Sequence, residues 1–544
     1  MKKVIENKRT AGIIVAVTAV ALCICIAAVG FSAALTDIMG GKGIRMEYET
    51  ELFDTDRLID IDILMDEDDW NDMLENAIEE EYHVCDVVVN GTKFRNVAIR
   101  PKGNSSLAAI AYDSHTTRFS LKLEFDHFEE GQTCFGLDKL ILNNNYADAS
   151  NMKEAMIFDM YRFIGADASL YNFADISVNG NYWGVYLALE GVEKSFMLRN
   201  YGTEDGQLYK PDLADRELDE DAGAAEIADF MNNLSGCDLN YVDDDLGSYQ
   251  FIWECQVTDT GKKDHRRVVT AIKNINEGNN LEKYLDMDNI LKYMAVHEFS
   301  VNEDSLSAKD MPHNYYLYEY KGRLNILPWD YNLCLGGMGN GGPIKMINDP
   351  IDTPFDGTHF FDKVLENEAY CERYHGYLQK LTDEYFEGGE FDRTFNRIKG
   401  RIDDLVRTDP NTLYGYEQYQ EASPMLYRIM SLRYESIKGQ LNGTIPSTES
   451  GQSHDPKSRI DASEIDLKVM GEVGDGNFAT AEQQFFEEER ERREVRAKEK
   501  DDPGGFDLKK FLSAPQGRNT IAFSGSLILM IASLIALKFV KRRN

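Results

Sequence analysis

The sequence is short of positive charge. Its 58 Lys and Arg stand against 94 Asp and Glu, a formal net charge of −36 over 544 residues. Nucleic-acid binders carry basic patches against phosphate, so that class is set aside. An acidic body suits a Lys/Arg-rich protein or divalent cations as partners, or serves solubility alone. Several signatures of chemistry are also missing. No CxxC pair occurs among the eight cysteines. At 297–301, "HEFSV" puts Val301 where a HExxH zinc motif needs its second histidine. There is no GxSxG elbow, no GxxxxGK[ST] phosphate loop and no internal repeat. Cys85, Cys134, Cys237, Cys255, Cys334 and Cys371 show no spacing that selects partners, so disulfides and buried thiols both fit.

Two stretches lack charge almost entirely. Residues 11–35, "AGIIVAVTAVALCICIAAVGFSAAL", are long enough to span a hydrocarbon core, and Lys2, Lys3, Lys8 and Arg9 precede them. Residues 521–540 are similar, with Lys541, Arg542 and Arg543 after them. Basic residues on both terminal sides predict cytoplasmic termini (1–10 and 541–544) and an extracytoplasmic body. The first run also ends in small residues, as a cleaved signal does; its length favours an anchor. Between the anchors, residues 57–441 alternate strand-like and helix-like patterns, and 445–518 read as an acidic, polar stalk containing "EEERERREVRAKEK".

Within 57–441 the local signals are definite. "TRFSLKLEFD" (117–126) alternates, with Phe119, Leu121, Leu123 and Phe125 facing one way and Arg118, Ser120, Lys122 and Glu124 the other. "DASNMKEAMIFDMYRFIG" predicts a helix capped by Asp148 or Ser150 and stopped by Gly165. Asn179-Gly180 and Lys321-Gly322 mark hairpins. Residues 280–301 predict one helix, and helices return from about 360 to 441. The order predicts an α+β body of two lobes with a ligand cleft between them.

The stretch "NEDSLSAKDMPHNYYLYEYKGRLNILPWDYN" (302–332) places Asp304 in a loop, Asn314 at the start of one strand and Asp330 after the return strand. A hairpin brings its outer ends together. A carboxylate and an amide oxygen there can hold Mg²⁺, and a second carboxylate can accept a hydroxyl proton. Turn-capping roles explain the same residues without chemistry. In "IRPKGNSSLA" (99–108), Lys102, Gly103, Asn104, Ser105 and Ser106 can cradle phosphate or form an ordinary turn. Lys122 on a strand and Glu154 early in the next helix can form a nucleotide-holding ion pair, or be solvated positions. "GGMGNGGP" (336–343) reads as a loop beside the substrate path. Paired carboxylates also suit a glycan-processing enzyme.

The ordered set "RPKGNSS", "RFSLKLEFD", "LILNNNYADASNMKEAMIFDMYRFIGA", "GNYWGVYLALEGVEKSFM", "GQLYKPD", "NEDSLSAKDMPHNYYLY" and "ILPWDYNLCLGG" resembles the spore coat protein H (CotH) family of atypical secreted protein kinases. The resemblance implies an atypical protein-kinase-like fold, ATP with Mg²⁺ or Mn²⁺, and phosphate transfer to Ser or Thr of a basic, Ser-rich protein. It implies Asp304 as the catalytic residue, Asp330 on the metal, and residues 102–106 as a nucleotide loop. Asn314 as second metal ligand follows from the hairpin instead. Ten residues separate Asp304 from Asn314, against about five in ordinary kinases, so the loop between them folds differently. The sequence therefore predicts a membrane-anchored, extracytoplasmic kinase; a non-catalytic surface adhesin or scaffold on the same fold is the rival.

Overall fold

The computed structural model describes residues 43–103, 105–111, 113, 115–211, 236–308, 312–338, 341–353, 355 and 357–471. They belong to one of two units of the chain, Met1–Glu482; the second, Gln483–Asn544, lies outside the described residues. So do both apolar runs, 11–35 and 521–540, and Asn104. Among the described residues no helix is long and apolar enough to cross a membrane.

The architecture is mixed α and β. The first half closes into a seven-stranded barrel, which periodicity cannot foretell. Its strands are β1 (Ile59–Leu64), β2 (His83–Val89), β3 (Thr92–Lys102), β4 (Ser120–Glu124), β5 (Lys139–Asn143), β6 (Tyr171–Val178) and β7 (Asn181–Glu190), in the order β1-β2-β3-β4-β5-β7-β6. All neighbours are antiparallel except β1 and β6, whose parallel pairing (Ile61 with Ile176) closes the ring. Inward residues follow the period of two: Ile59, Ile61 and Ile63 on β1, Leu121 and Leu123 on β4, Leu140 and Leu142 on β5. The outer face of β3–β5 keeps Arg100, Lys102, Lys122, Glu124, Lys139 and Asn143. Asn179 and Gly180 both take positive φ, as the tight β6–β7 hairpin requires.

Helix α1 (Lys153–Ile164) joins the barrel to the second core. The Asp148 carboxylate accepts from the Lys153 N–H at 2.7 Å, and Gly165 ends the helix at φ 72°. The helix is buried nearly all round, including Lys153, Glu154 and Asp159. Burying three charged side chains on one helix is costly unless each is partnered. The expected helix over 280–301 is interrupted: Leu285 bridges to Leu324, and Asp286 caps a new helix, α2 (Met287–Ser300), by accepting from Asp288 and Asn289. Then come β9 (Tyr315–Tyr320) and β10 (Arg323–Pro328), which form a three-stranded sheet with β8 (Gln207–Tyr209). Longer helices follow: α3 (Glu368–Lys380), α4 (Glu390–Thr408) and α5 (Tyr416–Leu441). Beyond α5 the chain stays packed; Ala462, Ile465, Leu467 and Met470 join the second core.

Two buried arginines lock the elements together. Arg118, expected on a half-buried polar face, is 1% exposed. It pairs with Asp409 at 2.7 Å, bonds the Asn144 carbonyl at 3.2 Å and lies 4.5 Å from the Tyr186 ring. Arg433 on α5 pairs with Glu298 on α2 at 2.7 Å. The six cysteines from Cys85 to Cys371 are all free thiols.

Candidate active site

Lys102 ends β3, and the next residues turn sharply. Gly103 has φ 139°, and a Cβ there would meet the Ser106 hydroxyl at 2.8 Å, so glycine is required. A short helix, Ser105–Ala111, follows. The Lys102 ammonium donates to Asn143 Oδ1 at 3.2 Å and stands 5.7 Å from the Trp329 ring. Asn143 ends β5 and donates its Nδ2 to Glu154 Oε2 at 2.8 Å. Glu154 Oε1 accepts the backbone N–H of Tyr331 at 3.1 Å. One amide thus links a strand lysine to a helix glutamate, and that glutamate holds the residue after Asp330. Burial, then repulsion from Asp330, pushes the Glu154 carboxyl up to about 7; Asn143, Tyr331 and Lys102 pull the other way.

Asp330 follows β10 in the left-handed region at φ 58°, as does Asn314 at φ 56° before β9. Tyr315 pairs with Pro328, so the two residues leave the hairpin at the same end. Asn302 donates to the Asp330 carbonyl at 3.4 Å and accepts from the Asp304 N–H at 3.3 Å. The Asp304 carboxylate takes Asn314 Nδ2 at 2.9 Å and His313 Nε2 at 3.0 Å. Asn314 therefore holds Asp304 through its nitrogen, which turns its amide oxygen the other way. Hydrogen bonds run from Lys102 through Asn143 and Glu154 to the Tyr331 N–H, and Asn302 ties the backbone carbonyl of the neighbouring Asp330 to the backbone N–H of Asp304.

Buried groups fix the frame beneath. The Tyr331 hydroxyl lies 2.6 Å from that of Tyr161 and 2.9 Å from His297 Nδ1. His297 Nε2 reaches Ser305 and Ser307 at 3.2 and 3.1 Å. Burial pushes His297 down to about 3, so it works as a neutral linker between the two carboxylate-bearing loops. Lys153, buried, donates to the carbonyls of Ala147 and Asn332 at 3.0 and 2.9 Å.

Lys122 has other company. Its ammonium lies 5.0 Å from the Tyr82 ring, and burial with Arg100 and Lys139 nearby pushes it down to about 7. The groups acting on it are Arg100, Lys139, Glu124 and Glu80, whereas those acting on Glu154 are Asp330, Asn143, Tyr331 and Lys102. Sequence reasoning passed over Asn143, Asn302, His313 and Tyr331. One signal was available for the first: Asn143, Asn144 and Asn145 follow an apolar strand, and all three are buried. Three buried amides need partners.

A family model described as CotH kinase protein matches residues 99–437. The chain belongs to the CotH family. Inner spore coat protein H of Bacillus subtilis (strain 168) is 23% identical over 343 residues, 61% of this chain and 87% of the relative. The family match covers Lys102, Asn143, Glu154, Asp304, Asn314 and Asp330 alike.

Proposed function

We propose that this CotH-family chain is a membrane-anchored, extracytoplasmic protein kinase that moves the terminal phosphoryl group of ATP to Ser or Thr of a basic protein. The observation that carries this reading is the Lys102–Asn143–Glu154 link ending beside Asp330. Kinase chemistry asks for a strand lysine tied to a helix glutamate, with a metal-binding aspartate at the same place. Here an asparagine mediates the tie, and Lys102 rather than Lys122 makes it.

The donor set fits a small hard cation. Asp330 and the Asn314 amide oxygen are oxygen ligands of the kind Mg²⁺ or Mn²⁺ takes. Burial raises Glu154 first and repulsion from Asp330 second, and a cation at Asp330 would relieve the second. Bound there with ATP, the ion supplies charge neutralisation at the phosphates. The chain supplies position and proton traffic. Lys102, with the turn at Gly103 to Ser106, gives positive charge and backbone donors for phosphate oxygens; Asn104 and Ser105 complete that turn in the sequence. Asp304, held by Asn314 and His313, orients the acceptor hydroxyl and takes its proton on a carboxylate oxygen. Lys122 lines the same outer sheet face. The net charge of −36 favours a basic, Ser-rich substrate. The runs 11–35 and 521–540 are the anchors that place the body outside the membrane.

The test is incubation of the full-length chain with labelled ATP, Mg²⁺ or Mn²⁺, and a basic Ser-rich protein. Label is expected on Ser or Thr. No transfer with either ion, from a folded chain, would leave the non-catalytic surface scaffold as the better reading. Sugars that compete with ATP would support glycan chemistry instead.

A further inference from the structure

Three donors of unlike chemistry meet at one end of α3 and the loop beside it. Cys371 and His375 lie four residues apart on α3, hence on one face of the helix. Asp352 comes from the loop after the short helix Gly342–Ile347. His375 Nε2 is 2.7 Å from Asp352 Oδ1 and 3.8 Å from Cys371 Sγ. The three donor atoms all lie within 4.8 Å of one another, the sole such group among the described residues.

The loop bearing Asp352 is held in place. Its own N–H donates to the Ser447 carbonyl at 2.8 Å. The Ile351 carbonyl accepts the Tyr374 hydroxyl at 3.0 Å, and the Ile351 N–H donates to Gln440 at 2.9 Å. Such outer bonds orient ligands before an ion arrives.

A nucleophile triad does not fit. There the thiol and the carboxylate engage opposite nitrogens of the imidazole. Here both face the same nitrogen, Nε2. Convergence on one point is what an ion requires. Tetrahedral zinc with sulfur, nitrogen and oxygen ligands at about 2.0–2.3 Å sets its ligand atoms roughly 3.3–3.6 Å apart. The His–Asp contact need open, and the Cys–His contact close, by only a fraction of an ångström. A thiol argues against Mg²⁺ or Ca²⁺, which take oxygen. His375 and Asp352 side chains are 34% and 25% exposed, so an ion can enter from solvent.

We propose that Asp352, Cys371 and His375 form a zinc site that clips α3 to the Asp352 loop. It shares no residue with the Asp304–Asp330 site and does not depend on the kinase reading. The alternative is an ordinary His–Asp ion pair with the cysteine uninvolved.

The test uses the full-length chain, challenged with zinc chloride, passed over chelating resin, and assayed for metal by atomic emission. One zinc per chain is expected, lost in Cys371→Ser and in His375→Gln. Cobalt in place of zinc should give a thiolate-to-cobalt charge-transfer band that Cys371→Ser abolishes. Zinc should also raise the Tm of the parent and not of either variant, which reports on variants that are folded. A parent that holds no zinc, variants that hold as much as the parent, or a cobalt band that survives Cys371→Ser would each overturn the assignment.

Discussion

Glu154→Gln isolates the electrostatic load at the candidate site. In the folded chain the carboxyl rises from 4.5 to about 7. At about 1.4 kcal/mol per tenfold change, ionising it costs the native state on the order of 3 kcal/mol. The side chain is 2% exposed, so water screens little of this. Because the folded-state value lies above the unfolded one, the contribution is whole at acid pH and is lost as pH rises through about 7. With unfolding entropy near 2 cal/mol/K per residue, a domain of roughly 400 residues loses about 1 °C of Tm per kcal/mol. In EDTA, the parent's Tm should therefore fall about 2 °C more than that of Glu154→Gln between about pH 5.5 and 8.5, the rest of the loss lying between about pH 4 and 5.5. Excess Mg²⁺ should shrink the parent's extra fall, since a cation at Asp330 offsets the repulsion. Scanning fluorimetry across the pH series measures both. Parallel profiles for parent and variant would show that Glu154 does not titrate there, and the electrostatic account would fail.

Asp304→Asn and Asp330→Asn should each cut phosphate transfer by about 10³-fold or more while leaving the Tm within a few degrees; full activity in either purified variant refutes the assigned roles. Lys102→Met should weaken use of ATP by about tenfold or more, and Lys122→Met by much less, in a KM titration; the reverse order would move the nucleotide lysine to β4. Arg118→Met should destabilise by about 3–5 kcal/mol in denaturant melts, because it strands Asp409 without its buried partner; a loss below about 1 kcal/mol would show that Asp409 relaxes to solvent.

Much of the local structure was legible. The strand at 120–124, the helix from 153 to 164 with Asp148 on its first N–H and its Gly165 stop, and both hairpins follow from period and turn chemistry that act within a few residues; the cap position itself falls on Met152. The Asp304, Asn314 and Asp330 stretch drew attention for a similar reason, since an Asp after Pro-Trp is odd for a solvated turn. What escaped depended on contacts between distant segments. Leu285 looked helical but bridges to Leu324, which splits the helix. Arg118 alternated correctly yet is buried, because Asp409 lies 291 residues away in the chain.

By itself the sequence determined the inward and outward faces of the strands, the turns, the acidic character and the order of the motifs. These depend on neighbours along the chain. Only the tertiary structure decided that the strands close into a barrel, that Lys102 reaches Glu154 through Asn143, and that His313 joins Asn314 on Asp304. Each of those joins residues brought together by burial, and a hydrogen bond of about 3 Å is settled by packing rather than by spacing.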